Sequence, residues 1–272
     1  DEKVTPDTVS FSTVIDAWAR SGHADAGRKA EAVLKRMEDL YNGGNNNVKP
    51  NQITINAVIN AHAKSKKWGA ARRAEAILQR AILQDMMTTS KHSSFFPPPN
   101  MISFCSVINA YAFSKDADKA VKAAIILREM KDFYATKKIN PNILFNAHHM
   151  VINACIYTIG NTSAKRQAMY IAVEVLKEMS SSHPPNHVTY AFILQSCARL
   201  LEPSEERDRL GLLLWRKACE DGMVDDTVVF RFLAAVSDDA RKGVFRKGQT
   251  IPQCWRRNVP KCHTDKNRND KT

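Results

Sequence analysis

Gln52-Ile-Thr-Ile-Asn-Ala-Val-Ile-Asn-Ala-His62 is one of five copies of a single text in this 272-residue chain. The others are Thr8-Val-Ser-Phe-Ser-Thr-Val-Ile-Asp-Ala-Trp18, Met101-Ile-Ser-Phe-Cys-Ser-Val-Ile-Asn-Ala-Tyr111, Phe145-Asn-Ala-His-His-Met-Val-Ile-Asn-Ala-Cys155 and the weaker His187-Val-Thr-Tyr-Ala-Phe-Ile-Leu-Gln-Ser-Cys197. Counted from the residue aligned with Thr8, apolar or bulky side chains recur at positions 4, 7, 8 and 11. They are Phe11, Val14, Ile15 and Trp18 in the first copy, and Ile55, Val58, Ile59 and His62 in the second. Phe104, Val107, Ile108 and Tyr111 follow, and Tyr190, Ile193, Leu194 and Cys197 close the series. The fourth copy keeps the phase with His148, Val151, Ile152 and Cys155, although Ile143 and Leu144 intrude before it. Spacing of i, i+3, i+4, i+7 is one stripe of a helix.

A second helix follows in each unit. Ala30-Glu-Ala-Val-Leu-Lys-Arg-Met37 aligns with Ala74–Ala81, Ala123–Met130 and Ala172–Met179, while the fifth counterpart, Leu210–Cys219, departs further. Pro50, Pro99, Pro141 and Pro185 each precede an Asn. Proline pushes the residue before it out of the helical region and Asn caps a helix start, so each pair reads as a stop followed by a start. Asn51, Asn100, Asn142, Asn186 and Asp226 therefore close five units, with Asp7 closing an earlier one, at spacings of 44, 49, 42, 44 and 40 residues. The expected organisation is the end of a preceding repeat (1–7), repeats at 8–51, 52–100, 101–142, 143–186 and 187–226, a partial repeat or capping helix (227–240) and a basic tail (241–272). No segment reads as a strand. The fold class predicted is all-α, a stack of helix hairpins whose repeats bury a one-dimensional core.

The charge of +12 is uneven: residues 241–272 carry +8 and residues 1–240 carry +4. A basic balance of this kind suits a polyanionic partner, although a merely solvated tail has the same composition. Six scattered cysteines fit a reducing interior better than secretion, and Cys254, Cys262 and His263 match no standard zinc spacing. No cofactor and no metal are expected. No run approaches the roughly 18 apolar residues of a membrane span. The chain opens with Asp on a repeat boundary, which reads as a fragment or a trimmed product whose targeting segment lies outside it.

Ile53-Thr54-Ile55-Asn56-Ala57-Val58-Ile59-Asn60-Ala61, Leu34-Lys35-Arg36-Met37 and Val48-Lys49-Pro50-Asn51 together resemble the pentatricopeptide repeat family of organelle RNA-binding proteins. The resemblance covers roughly residues 4–237. It implies an α-solenoid of helix-turn-helix units in a right-handed superhelix, single-stranded RNA as partner, and a mitochondrion or plastid as location. The units here are longer than the approximately 35 residues usual for such repeats. The excess lies in Tyr41–Asn47 and Thr88–Pro99, Asn/Gly- and Ser/Thr/Pro-rich stretches that read as mobile loops.

The stripe leaves positions 2, 5 and 9 on the opposite helix face. Position 9 reads Asp16, Asn60, Asn109, Asn153 and Gln195; position 5 reads Ser12, Asn56, Cys105, His149 and Ala191. Position 2 reads Val9, Ile53, Ile102, Asn146 and Val188. An amide beside an apolar residue suits an unstacked base, one group reading its edge and the other packing on its face. Amides along a helix surface are also commonly just solvated, so the pattern alone leaves both readings open. The resemblance implies that position 5 acts with the closing residue of the same repeat. The candidate base-contacting pairs are then Ser12 with Asn51, Asn56 with Asn100, Cys105 with Asn142, His149 with Asn186 and Ala191 with Asp226, with Val9, Ile53, Ile102 and Val188 as base-packing residues. By the family pattern Ser with Asn favours adenine and Asn with Asn a pyrimidine; Cys, His and Ala at position 5 carry no assignment. Arg20, Lys64 and Lys115 are candidate phosphate contacts.

The tail admits two readings. Trp255-Arg256-Arg257 offers a stacking ring with two cations, and Ile251, Trp255 and Val259 at i+4 spacing offer a cap for the last repeat. Two function classes stay open: a monomeric single-stranded RNA binder that occupies transcripts and meets other RNA-processing proteins, and a helical-repeat scaffold for proteins. The chain has no HExxH motif, no phosphate loop and no His-x-Glu with Cys-x-x-Cys, so it does not read as an enzyme.

Overall fold

A computed structural model describes residues 6–65, 67–87, 95–135, 140–182, 184–245 and 248–260. Among them there are eleven α-helices and no strand. In chain order they are α1 (Thr8–Arg20), α2 (Ala26–Asn42), α3 (Gln52–Ser65), α4 (Ala70–Met87), α5 (Met101–Phe113), α6 (Lys119–Phe133), α7 (Pro141–Ile156), α8 (Thr162–Ser182), α9 (His187–Leu200), α10 (Glu205–Glu220) and α11 (Asp226–Ala235). The chain divides into two compact units, Asp1–Ala164 and Lys165–Thr272.

In the first unit α1 packs on α2, α3 on α4 and α5 on α6, while α1, α3, α5 and α7 lie side by side. Each second helix also touches the next first helix: α2 meets α3, α4 meets α5 and α6 meets α7. The stripe explains this arrangement. Ile55, Val58, Ile59, Phe104, Val107, Ile108, Val151 and Ile152 are all buried, as are Ala30, Leu34, Met37, Ala74, Leu78, Ala81, Ala123, Leu127 and Met130 of the second helices. Burying one aliphatic side chain of this size contributes about 1.5–3 kcal/mol. In α1 the stripe is incomplete, because Val14 stays 48% exposed. Its counterparts Val58 and Val107 are buried, each on a helix that packs on the first helix before it, and among the described residues none precedes α1.

Position 11 joins successive units. His62 is buried in α3, with Nε2 3.3 Å from the Glu31 carboxylate of α2. Its ring lies so close to Gly27 that a Cβ there would fall 2.3 Å from His62 Nδ1, so only glycine fits. Glu31 also takes Arg73 of α4 at 3.2 Å. The next junction repeats the scheme: Tyr111 donates its hydroxyl to Glu75, which pairs with Lys122 at 3.2 Å. The imidazole beside Glu31 is the main reason its carboxyl is held below the usual carboxylate range.

The inserted loops differ from expectation. The Thr8 hydroxyl donates to the carbonyls of Asn47 (3.0 Å) and Lys49 (2.7 Å), and Val48 is buried, so the segment after α2 is tied down rather than loose. Phe95 and Phe96 are buried too: Phe95 packs on Tyr41 with ring centroids 5.4 Å apart, and Arg80 lies over the Phe96 ring at 4.5 Å. Aromatic burial offsets the entropy of ordering these residues. Residues 88–94 of the second insert lie outside the described residues.

In the second unit α9 packs on α10 and on α11, and α10 on α11. The tail folds back on this group. Trp215 of α10 stacks on Phe232 of α11 with centroids 4.2 Å apart, and Phe245 (5.3 Å) and Trp255 (5.7 Å) close over it. Val224 N–H donates to the Trp255 carbonyl at 2.8 Å, and Asn258 N–H to that of Gly222 at 3.0 Å. The covering role falls to Phe245 and Trp255. Ile251, Trp255 and Val259 do not form a helical stripe, since among the described residues of the tail the only regular structure is a 3₁₀ turn at Gln253–Trp255. Cys262 and His263 lie outside the described residues.

Burial separates the two helix faces in a testable way. Ile59→Ala should cost about 2–5 kcal/mol, whereas Ile53→Ala, at a site 70% exposed, should change stability by less than about 0.5 kcal/mol. Urea unfolding followed by circular dichroism measures both.

Candidate nucleic-acid interface

The N-terminal turn of each first helix carries the candidate residues. At position 2, Val9, Ile53 and Ile102 are 68%, 70% and 54% exposed, and Val188 is half-buried. Beside them Ser12 and Asn56 are half-buried, as are Asp16, Asn60, Asn109, Asn153 and Gln195 at position 9. Positions 2 and 9 thus form a partly accessible strip, whereas position 5 is buried at Cys105 and Ala191.

Two of the pairs are brought together, each through a hydroxyl three residues past the cap. Asn51 caps α3: its Oδ1 accepts the Thr54 N–H (2.9 Å) and the Thr54 hydroxyl (3.0 Å). The same Thr54 Oγ1 lies 2.7 Å from Ser12 Oγ on α1. At the next junction Asn100 caps α5 through Ser103 N–H (2.9 Å), and the Ser103 hydroxyl donates to Asn56 Oδ1 at 2.7 Å. Here the pair also touches directly, Asn56 Nδ2 donating to Asn100 Oδ1 at 3.3 Å. Asn100 Nδ2 in turn donates to Gln52 Oε1 at 3.1 Å.

This geometry decides what the pairs offer. Asn100 Oδ1 is filled by the helix start and by Asn56, and each amide spends one N–H, so each keeps one N–H and Asn56 Oδ1 keeps one acceptor site. Asn51 likewise spends Oδ1 on its helix and keeps its amide donors. An edge of two N–H groups and one amide oxygen can meet the carbonyl and ring-nitrogen acceptors of a base.

Three other pairs are placed differently. Asn142 is not a cap: α7 starts at Pro141 and is capped by Asn140, whose Oδ1 accepts Asn142 N–H at 3.0 Å. The two extra residues, Ile143 and Leu144, are absorbed as added helix ahead of the stripe. Ala147 then stands where Thr54 and Ser103 stand in the repeat, and both it and Cys105 are buried. Asp226 is likewise one residue past the cap of α11, which is Asp225, accepting Val228 N–H at 2.8 Å. Cap-plus-three phasing selects Asp225, because it places Val228 and Phe232 in the core. Ala191 at this junction is buried and its cap-plus-three neighbour is Val228. Where the hydroxyl is lost, position 5 is apolar or a thiol.

Asn186 does cap α9, through Thr189 N–H at 2.9 Å. His149 packs against Phe145 with the rings tilted and centroids 4.4 Å apart. Burial, with His148 alongside, holds its imidazole down at about 4, so it is neutral near pH 7. Of the candidate phosphate contacts, Lys64 and Lys115 are exposed, while exposed Arg20 pairs with Asp16 at 2.7 Å. Between α9 and α11 the strip deepens into a slot of about 140 Å³ lined by Val188, Ala191, Phe192, Gln195, Asp225 and Arg231 among others.

Sequence reading missed Thr54, Ser103, Gln52, Asn140 and Asp225. The signal for the first two was present, a hydroxyl three residues after a capping Asn. Among the described residues no group of three His, Cys, Asp or Glu is placed to hold a metal ion. No helix there is long and apolar enough to cross a membrane. Comparison with family models, with curated proteins and with solved structures gives no match.

The His149 environment has a pH consequence. Its folded value lies below the unfolded 6.5, so its neutral form is at no disadvantage above that pH and stability is lost as pH falls from about 6.5 towards about 4. His149→Gln should flatten this part of the stability–pH curve, measured by thermal unfolding at half-unit pH intervals.

Proposed function

We propose that this chain binds single-stranded RNA along the N-terminal turns of its first helices, each slot taking one base between adjacent position-2 residues. The observation that carries this reading is the Asn56–Asn100–Ser103 knot, which orients amide donors beside exposed Ile53 and Ile102. Acceptor-bearing edges match it, in agreement with the pyrimidine that the pentatricopeptide resemblance implies for an Asn–Asn pair. Ser12 with Asn51 forms a second polar slot of the same build. On this reading the helix hairpins continue as an α-solenoid in a right-handed superhelix, and the strand follows its inner face. Each base stacked and hydrogen-bonded contributes about 1–3 kcal/mol, so several imperfect slots suffice for useful affinity. The chain acts in this view without catalysis, by occupying RNA in a mitochondrion or plastid and so affecting processing, stability or translation.

Exposed Leu83, Met86 and Met87 on the last turns of α4 favour a second reading, a scaffold that binds protein.

Incubating the purified chain with a randomised single-stranded RNA pool at two salt concentrations discriminates the two. Base reading predicts a short motif that persists at the higher salt. Retention without a motif, falling steeply with salt, would indicate phosphate contact alone, and no retention would favour the scaffold.

A further inference from the structure

We propose that the cleft between the folded tail and the start of α11 holds the nucleotide adjoining the last base slot, with Arg256 taking its phosphate. This rests on the RNA-binding reading and extends it to a segment outside the repeats. The cleft has a volume of about 900 Å³ and is lined by residues that include Gln253, Cys254, Arg256, Val259, Asp226 and His187. It shares His187, Asp225 and Thr227 with the 140 Å³ slot between α9 and α11, so a strand leaving that slot meets this cleft next. Its size falls within the roughly 300–1,000 Å³ of small-ligand sites.

The two arginines of the cleft have different duties. Arg257 is part of the framework: it donates to the carbonyls of Cys254 (2.7 Å) and Glu220. Its stem crosses Gly222, at φ +67°, where a Cβ would lie 2.5 Å from Arg257 Cγ. Among the described residues the one ion-pair neighbour of Arg256 is loose, the Asp226 carboxylate at 3.9 Å, whose side chain is 88% exposed. A pair so long and so exposed is weak, and a phosphate oxygen can displace it with a shorter, bidentate contact. The other carboxylate, Asp225, is engaged in capping α11. Val259 and Pro260 supply an apolar wall and Gln253 an amide, the mixture an unstacked base requires.

The test starts from the RNA sequence best retained by the full chain and trims it one nucleotide at a time from each end. Affinity of the wild type should drop about tenfold at one terminal trim, and Arg256→Ala should abolish that step. Arg256→Ala should also lower the slope of log affinity against log salt by about 0.7, while Asp226→Asn strengthens binding. Arg209→Ala, on the exposed side of α10, serves as a charge-matched control and should leave the trimming step in place. Circular dichroism and thermal unfolding confirm that each variant is folded. If RNA is bound but Arg256→Ala behaves like Arg209→Ala, the cleft assignment is overturned and the repeat reading stands. If no RNA is retained by the wild type, both fall together.

Discussion

At two junctions of the first unit a hydroxyl three residues past the helix cap ties the packing of neighbouring helices to the groups that face solvent. Thr54 and Ser103 each bond the Asn that caps their own helix and the position-5 residue of the helix before. One small side chain thereby satisfies a helix start, ties neighbouring helices together and orients the groups that face solvent. A hydrogen bond of this kind contributes about 1 kcal/mol net, but leaving a half-buried amide unmet costs more. The aliphatic stripe supplies most of the cohesion and holds at every described junction; where the hydroxyl is present it adds a polar tie between neighbours.

That dual role ties the surface to the packing. At the junctions where the hydroxyl is replaced, by Ala147 and by Val228, position 5 has become Cys105 and Ala191, both buried. Polar partners occur together or not at all, as expected where an unpaired buried polar group is costly. The slots therefore differ in kind: two are polar and donor-rich, while that between α9 and α11 is more apolar in its floor. A strand laid across them would be read closely at some places and tolerated at others.

Much of the fold was legible in the amino-acid order because the period is redundant: the same stripe occurs five times, and errors in one copy are corrected by the rest. Cap positions were less legible. Pro-Asn at 141–142 outweighed the phase of the stripe, yet proline is well suited to a first helical position, and the helix starts at Pro141 with Asn140 as cap. Asp225 and Asp226 are chemically alike, and only the burial of Val228 and Phe232 separates them. Loop composition misled in a different way. Asn, Gly, Ser and Pro suggest mobility, but Val48, Phe95 and Phe96 anchor the described parts, and nothing in a linear pattern announces which core they reach. The candidate site was legible as a set of positions; the hydroxyls that organise it were passed over, since they sit on the buried edge of the strip.

The most direct test is Ser103→Ala, followed by two readouts on one protein. Urea unfolding gives the structural effect, and selection from a randomised single-stranded RNA pool gives the functional one. Expected is a loss of about 1–3 kcal/mol in stability together with relaxed base preference at a single position of the selected motif. A comparable loss of stability with the selected motif unchanged would contradict the claim that the packing knot and the base-reading group are the same.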